Sequence, residues 1–110
     1  MFISYGIKYV LNIRRKGDTE GINIRLRVTL HGERPLDFSI GINTDLAEWD
    51  AERQRIVSSA CEAVIKNRML DEIYNKTEEI FVRYKLIEKR IPTRIELKHE
   101  GPQRLFPGVH

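Results

Sequence analysis

Apolar and polar residues alternate strictly along 22–30. Ile22, Ile24, Leu26, Val28 and Leu30 fall on one side, and Asn23, Arg25, Arg27 and Thr29 on the other. A side-chain period of two is that of a strand with one buried and one wet face. Isoleucine and valine suit the packed side of the pleat. His31-Gly32-Glu33-Arg34 interrupts the run with a glycine that tolerates positive φ, the mark of a turn. After Pro35 the alternation resumes, with Leu36, Phe38 and Ile40 inward and Asp37 and Ser39 outward. Gly41-Ile42-Asn43-Thr44-Asp45 is expected to end the sheet. A preceding strand is expected over 5–14, with Ile7, Tyr9, Leu11 and Ile13 on one face and Lys8, Val10, Asn12 and Arg14 on the other. A polar loop rich in turn formers, 15–21, joins the two. The simplest topology is an antiparallel meander of consecutive strands.

Beyond the strands the period changes. Thr44 or Asp45 is placed to cap a short helical turn over 46–49, Trp49 to plug one end of the core, and the polar stretch to Val57 to be irregular. Ser59-Ala60-Cys61-Glu62 has the capping-box spacing, which predicts a helix starting there. Ala63, Leu70, Ile73, Tyr74, Thr77, Ile80, Phe81, Tyr84 and Ile87 then recur at three- and four-residue steps as one apolar stripe. Lys66, Glu72, Lys76, Glu79, Arg83 and Lys89 largely lie off it, as a solvated face. Tyr74 and Tyr84 belong to the core with their hydroxyls at its rim. Neither Gly nor Pro interrupts the run before Pro92. A helix of about 29 residues is near 44 Å long, against about 27 Å for eight-residue strands, so it should outrun the sheet and need another partner at its far end. Thr93-Arg94-Ile95-Glu96 is a second capping box, for a short helix through His99 that Gly101-Pro102 stops. Residues 103–110 read as a loose tail, an ending like a hinge into more protein. The fold class is therefore α+β: a three-stranded antiparallel β-sheet packed on one long C-terminal α-helix. Residues 1–90 form the domain, and 91–110 a hinge, short helix and tail.

Composition narrows the function classes. At 110 residues the chain fits one domain with a modest core. The net charge of +3 is a mild basic excess, weak evidence of a polyanionic partner when taken alone. Cys61 is the sole cysteine, so there is neither an internal disulfide nor a thiolate metal cluster. No apolar run approaches the roughly 20 residues of a membrane span. Met1-Phe2-Ile3-Ser4 lacks the basic start and apolar stretch of a signal peptide, and a cytoplasmic home fits best. His31, His99 and His110 are scattered, without metal-ligand spacing, and no glycine-rich phosphate loop occurs. The expectation is a non-enzyme with neither metal nor cofactor.

Several short stretches carry a family likeness in their order. They are Leu11-Asn12-Ile13-Arg14, Gly21-x-x-Ile24-x-Leu26-Arg27-Val28-Thr29, Gly32-x-Arg34, Ser39-Ile40-Gly41-Ile42, Glu48-Trp49-Asp50, Arg55-Ile56-Val57 and Asn67-x-x-Leu70. Together, across 8–88, the chain resembles the N-terminal arm-type DNA-binding domain of tyrosine recombinases, specifically integrases of Bacteroides-type conjugative transposons and related phage-like elements. The resemblance implies duplex DNA binding at arm-type sites, positioning a site-specific recombinase during integration or excision of a mobile element. The strand-exchange chemistry would belong to core-binding and catalytic domains, which, with other integrase protomers, are the implied protein partners. Nothing here holds a nucleophilic tyrosine with its arginine and histidine partners, so no tyrosine is assigned to catalysis. One departure is Leu36-Asp37-Phe38, which sets an acidic residue on a face expected to meet DNA.

Three strands about 4.8 Å apart span roughly 10 Å, which suits a major groove about 12 Å wide. Arginine reaches guanine bidentately and asparagine reaches adenine. Arg25 and Arg27 are therefore the leading groove residues, with Asn12, Arg14, Asn23 and Thr29 in support. Lys8, Arg15, Lys16 and Arg34 fall at strand ends or turns, where phosphates would lie. The competing view is plain: antiparallel sheets commonly show such residues to water, and Arg27 either reads a base or pairs with Asp37 across the hairpin. The alternative function is a non-enzymatic protein-interaction module using the sheet edge or the overhanging helix.

Overall fold

The structure is a computed structural model that describes residues 5–100. The readings of 1–4, of the helix stop at Gly101-Pro102 and of the tail lie outside the described residues. The fold is α+β, as the patterning predicts. Strands β1 (Tyr5–Asn12), β2 (Ile22–Leu30) and β3 (Leu36–Thr44) form an antiparallel sheet in the order β1-β2-β3. Burial along β2 and β3 follows the alternation residue by residue, with Leu26 and Val28 fully enclosed. The β2–β3 turn closes through a Glu33 N–H bond to the Leu30 carbonyl at 3.0 Å, with Gly32 at φ 78°.

Two strand boundaries differ from the sequence reading. β1 stops at Asn12, so Ile13, expected inward, stands 47% exposed, and Arg14 lies in the loop rather than on the sheet. β3 continues to Thr44, because the alternation persists through Ile40, Ile42 and Thr44, all buried. Ile24 pairs with Ile42 and Arg25 with Ser39, leaving Ile40 and Gly41 as a bulge in β3. Gly41 sits there at φ 73°, a conformation costly for other residues.

Neither Thr44 nor Asp45 caps the following 3-10 turn, Leu46–Glu48, through its side chain. The Asp45 carboxylate instead accepts from the Gly21 N–H at 3.0 Å, and the Leu46 N–H bonds to the Thr19 carbonyl at 2.7 Å. The β1–β2 loop is thereby tied to the end of β3. The stretch expected to be irregular holds a small hairpin, β4 (Trp49–Asp50) with β5 (Arg55–Ile56), and Trp49 packs half-buried against the core. Two carboxamides pin this hairpin. Gln54 accepts from the Tyr9 N–H at 2.6 Å and donates to the Tyr9 carbonyl at 3.0 Å. Asn67 does the same for Ile56, at 2.8 Å in each direction.

The long helix α1 (Ala63–Arg83) starts later than its capping box predicted. Glu62 takes a left-handed conformation (φ 62°), and successive turns from Val57 to Ala60 and from Ala60 to Ala63 occupy the stretch where the box would form. α1 lays Ala63, Leu70, Ile73, Thr77, Ile80 and Phe81 on the apolar face of the sheet. Tyr9 donates its buried hydroxyl to the Leu70 carbonyl at 2.5 Å, and Tyr5 stacks on Phe81 with ring centroids 3.8 Å apart. Beyond Arg83 the helix widens into a π-helical segment, Tyr84–Glu88, that ends at left-handed Lys89. The wider winding moves later side chains off the α-helical register; Ile87, expected on the stripe, is 68% exposed.

The second capping box is realised in α2 (Arg94–Glu100). Thr93 N–H donates to Glu96 at 2.9 Å, and Glu96 N–H to the Thr93 hydroxyl at 3.3 Å. α2 supplies the partner that the overhanging end of α1 needed. Leu97 joins the main core, Pro92 is fully buried, and Glu100 binds Arg83 and the Tyr84 hydroxyl. No helix among the described residues is long and apolar enough to cross a membrane.

Candidate nucleic-acid interface

With the helices and the hairpin gathered on its apolar face, the sheet presents its other face outward. Strand register arranges that face in rows. Lys8, Arg27 and Asp37 stand abreast across the three strands, then Val10, Arg25 and Ser39, then Asn12, Asn23 and Asn43. Thr29 lies opposite Gly6 at the far end. Lys8, Asn23, Thr29, Ser39 and Asn43 are exposed, while Asn12, Arg25 and Arg27 are half-buried by their neighbours.

The structure separates the two leading arginines. Arg27 donates from Nε and Nη2 to the two Asp37 oxygens at 2.8 and 2.9 Å, a bidentate pair between the central strand and β3. The hydrogen bonds from Arg27 hold the Asp37 carboxyl below its usual range, and the Arg25 charge acts in the same direction. Asp37 in turn raises the Arg27 guanidinium. Of the two roles open to Arg27, the cross-strand pair is the one seen. Arg25 makes no side-chain hydrogen bond or ion pair with the described residues, and its guanidinium is available on the central strand.

The basic loop sits at the asparagine end. Asp18 accepts from the Arg15 N–H at 3.2 Å and donates its own N–H to the Arg15 carbonyl at 3.1 Å, folding Arg15-Lys16-Gly17-Asp18 into a tight turn. Arg14, Arg15 and Lys16 are exposed on this turn, which the Asp45 tether holds to the sheet. Arg34, also exposed, is at the opposite end in the β2–β3 turn, where its carbonyl accepts from Arg94 of α2. The predicted residues therefore do not form one cluster: Asn12, Asn23 and Arg25 lie at the end that carries Arg14, Arg15 and Lys16, and Thr29 and Arg34 lie toward the other, while Lys8, expected at a strand end, stands in the middle of β1 opposite Arg27.

Sequence reading missed three contributors. The alternation alone puts Ser39 merely outward, the expected end of the sheet leaves Asn43 beyond it, and the helical period puts Lys66 on the solvated helix face. Lys66 reaches from α1 to the β3 end, donating to the Asn43 carbonyl at 2.8 Å and lying 3.4 Å from its side-chain oxygen. The alternation through Thr44 was the available signal for Asn43; Lys66 had none, because its reach depends on how the helix crosses the sheet. No family model, curated protein or solved structure matches the chain.

Proposed function

We propose that this chain binds duplex DNA through the open sheet face and acts as an arm-site DNA-binding domain of a tyrosine recombinase, without cutting DNA itself. One observation carries the reading: a three-stranded face backed by a helix, with Arg25 and three asparagines in register and a tethered Arg14–Lys16 turn beside them. Its width of roughly 10 Å matches the major groove. The free cations supply phosphate contacts, and the central strand supplies donors that reach base edges.

The test is fluorescence anisotropy of labelled duplexes at several salt concentrations. Affinity should fall linearly in log–log form as salt rises, through counterion release. Lys16→Ala should weaken all duplexes alike and flatten the slope by about one unit. Arg25→Ala should cost a preferred site about tenfold while barely changing random duplex. Binding that ignores salt would sink the proposal.

A second reading, a protein-interaction module, is favoured by the exposure of Leu86 and Ile87, 66% and 68%, on the π-helical segment. Strand addition at β1 is disfavoured, since Gln54 already occupies the Tyr9 backbone. Docking on the helix end predicts salt-insensitive association lost in Ile87→Glu, with no change toward DNA.

A further inference from the structure

Resting on the DNA-binding reading, we infer that the face is built to recognise an adenine and a guanine separated by one intervening base pair, read by Asn23 and Arg25 respectively. Both project from β2, the central strand, two residues apart on the same face. Residues so placed are about 6.8 Å apart, which corresponds to about two base-pair steps of 3.4 Å when strands run along the groove. Three strands fill the groove width only in that orientation, so the central strand meets the base edges and the outer strands face the walls.

The chemistry at each position follows. The Asn23 carboxamide is exposed and makes no side-chain hydrogen bond with the described residues, so its N–H donor is available to adenine N7 and its oxygen to adenine N6–H. Arg25, with Arg27 held by Asp37, is the unpaired guanidinium on the central strand and suits guanine O6 and N7. Asn12 and Asn43, level with Asn23 on the outer strands, are placed for phosphates of the two walls, beside Arg14–Lys16 on one side and Lys66 on the other. Gly41 adds a second observation. It occupies the polar face of β3 between Ser39 and Asn43, in the bulge, with no side chain to hold a base pair away from Asn23 and Arg25. The Lys8–Arg27–Asp37 row is two residues further along β2, and there the internal pair leaves no free arginine for a third base.

The experiment is selection of bound duplexes from a pool with a randomised centre, run on the whole chain and on Asn23→Ala, Asn23→Gln and Arg25→Ala. Thermal unfolding of each variant confirms that it is folded. The native chain should enrich an adenine and a guanine with one pair between them. Asn23→Ala should lose the adenine and keep the guanine, Arg25→Ala should do the reverse, and Asn23→Gln, which keeps a carboxamide, should retain the adenine. Replacing the selected adenine by 7-deazaadenine, which lacks the N7 acceptor, should weaken the native chain about tenfold and leave Asn23→Ala unchanged. A strongly enriched site whose composition is indifferent to both variants overturns this inference and leaves DNA binding standing. No enrichment together with no salt-sensitive binding removes both.

Discussion

Arg27 and Asp37 face each other across β2 and β3, and their pairing sets how much positive charge the sheet offers a polyanion. Half-exposed pairs of this kind contribute less than about 1 kcal/mol to stability, so the carboxylate matters more for charge than for folding. Asp37→Asn should release the guanidinium, tighten DNA binding about two- to fivefold at low salt and steepen the salt slope by about one unit. Anisotropy read beside a melting curve checks both halves; weaker binding would show that Arg27 is needed in its paired position. Because Asp37 is depressed in the folded state, its contribution is complete above the ordinary carboxylate range and disappears as pH falls through the lowered value. The role of Arg27 was undecidable in sequence, since bidentate pairing depends on two strands being in one register. Asn23 and Arg25 were legible, because a strict period of two on the central strand fixes which way each residue points.

At the scale of elements, the long periodic runs were legible and the short pieces were not. Nine-residue strands and a 21-residue helix repeat their pattern often enough to specify a face. The β4–β5 hairpin has two residues in each strand, too few for any period, and it is held by the Gln54 and Asn67 carboxamides rather than by alternation. Gln54→Ala should cost about 1–2 kcal/mol through the two lost hydrogen bonds and leave DNA affinity unchanged, as chemical denaturation and anisotropy on one sample would show. The two capping boxes had the same sequence spacing and different outcomes. Around Ser59 the chain spends its backbone bonds on turns leaving the hairpin, whereas Thr93 follows a buried proline and is free to cap. Hydrogen bonds from Arg90 and Thr93 pull Glu96 down to about 2. A depressed carboxyl stabilises the fold above its unfolded value and ceases to do so as pH falls through the folded value. α2 should therefore loosen selectively between the ordinary range of about 4.5 and about 2, seen as faster amide exchange from Arg94 to Glu100 while β2 stays protected. Glu96→Gln should remove that pH dependence. Tyr84, whose hydroxyl bonds to Glu100, is pushed up to about 12, so that hydroxyl stays protonated and keeps donating to Glu100 through most of the alkaline range.

Across the whole molecule, charge is segregated by pairing rather than by number. Arg53, Arg55, Arg83 and Arg90 each lie near a carboxylate, on the hairpin and helices, whereas among the described residues the sheet face holds only the Arg27–Asp37 pair; Lys66, 3.8 Å from Glu62, also reaches Asn43 at the end of β3. A net charge of +3 therefore understates the local potential at Arg14–Lys16 and Arg25. Replacing Arg14, Arg15 and Lys16 by alanine together should lower the salt slope by about three units. The same treatment of Arg53, Arg55 and Arg83 should leave it unaltered, although it removes as many charges. The Gln54 clamp also has a consequence in time. It joins positions 45 residues apart, so β1 presents a bare edge to neighbouring chains until the hairpin docks. Chains lacking that carboxamide should be lost during refolding at high concentration, as aggregates seeded through β1, while those that do fold bind as well as the native protein.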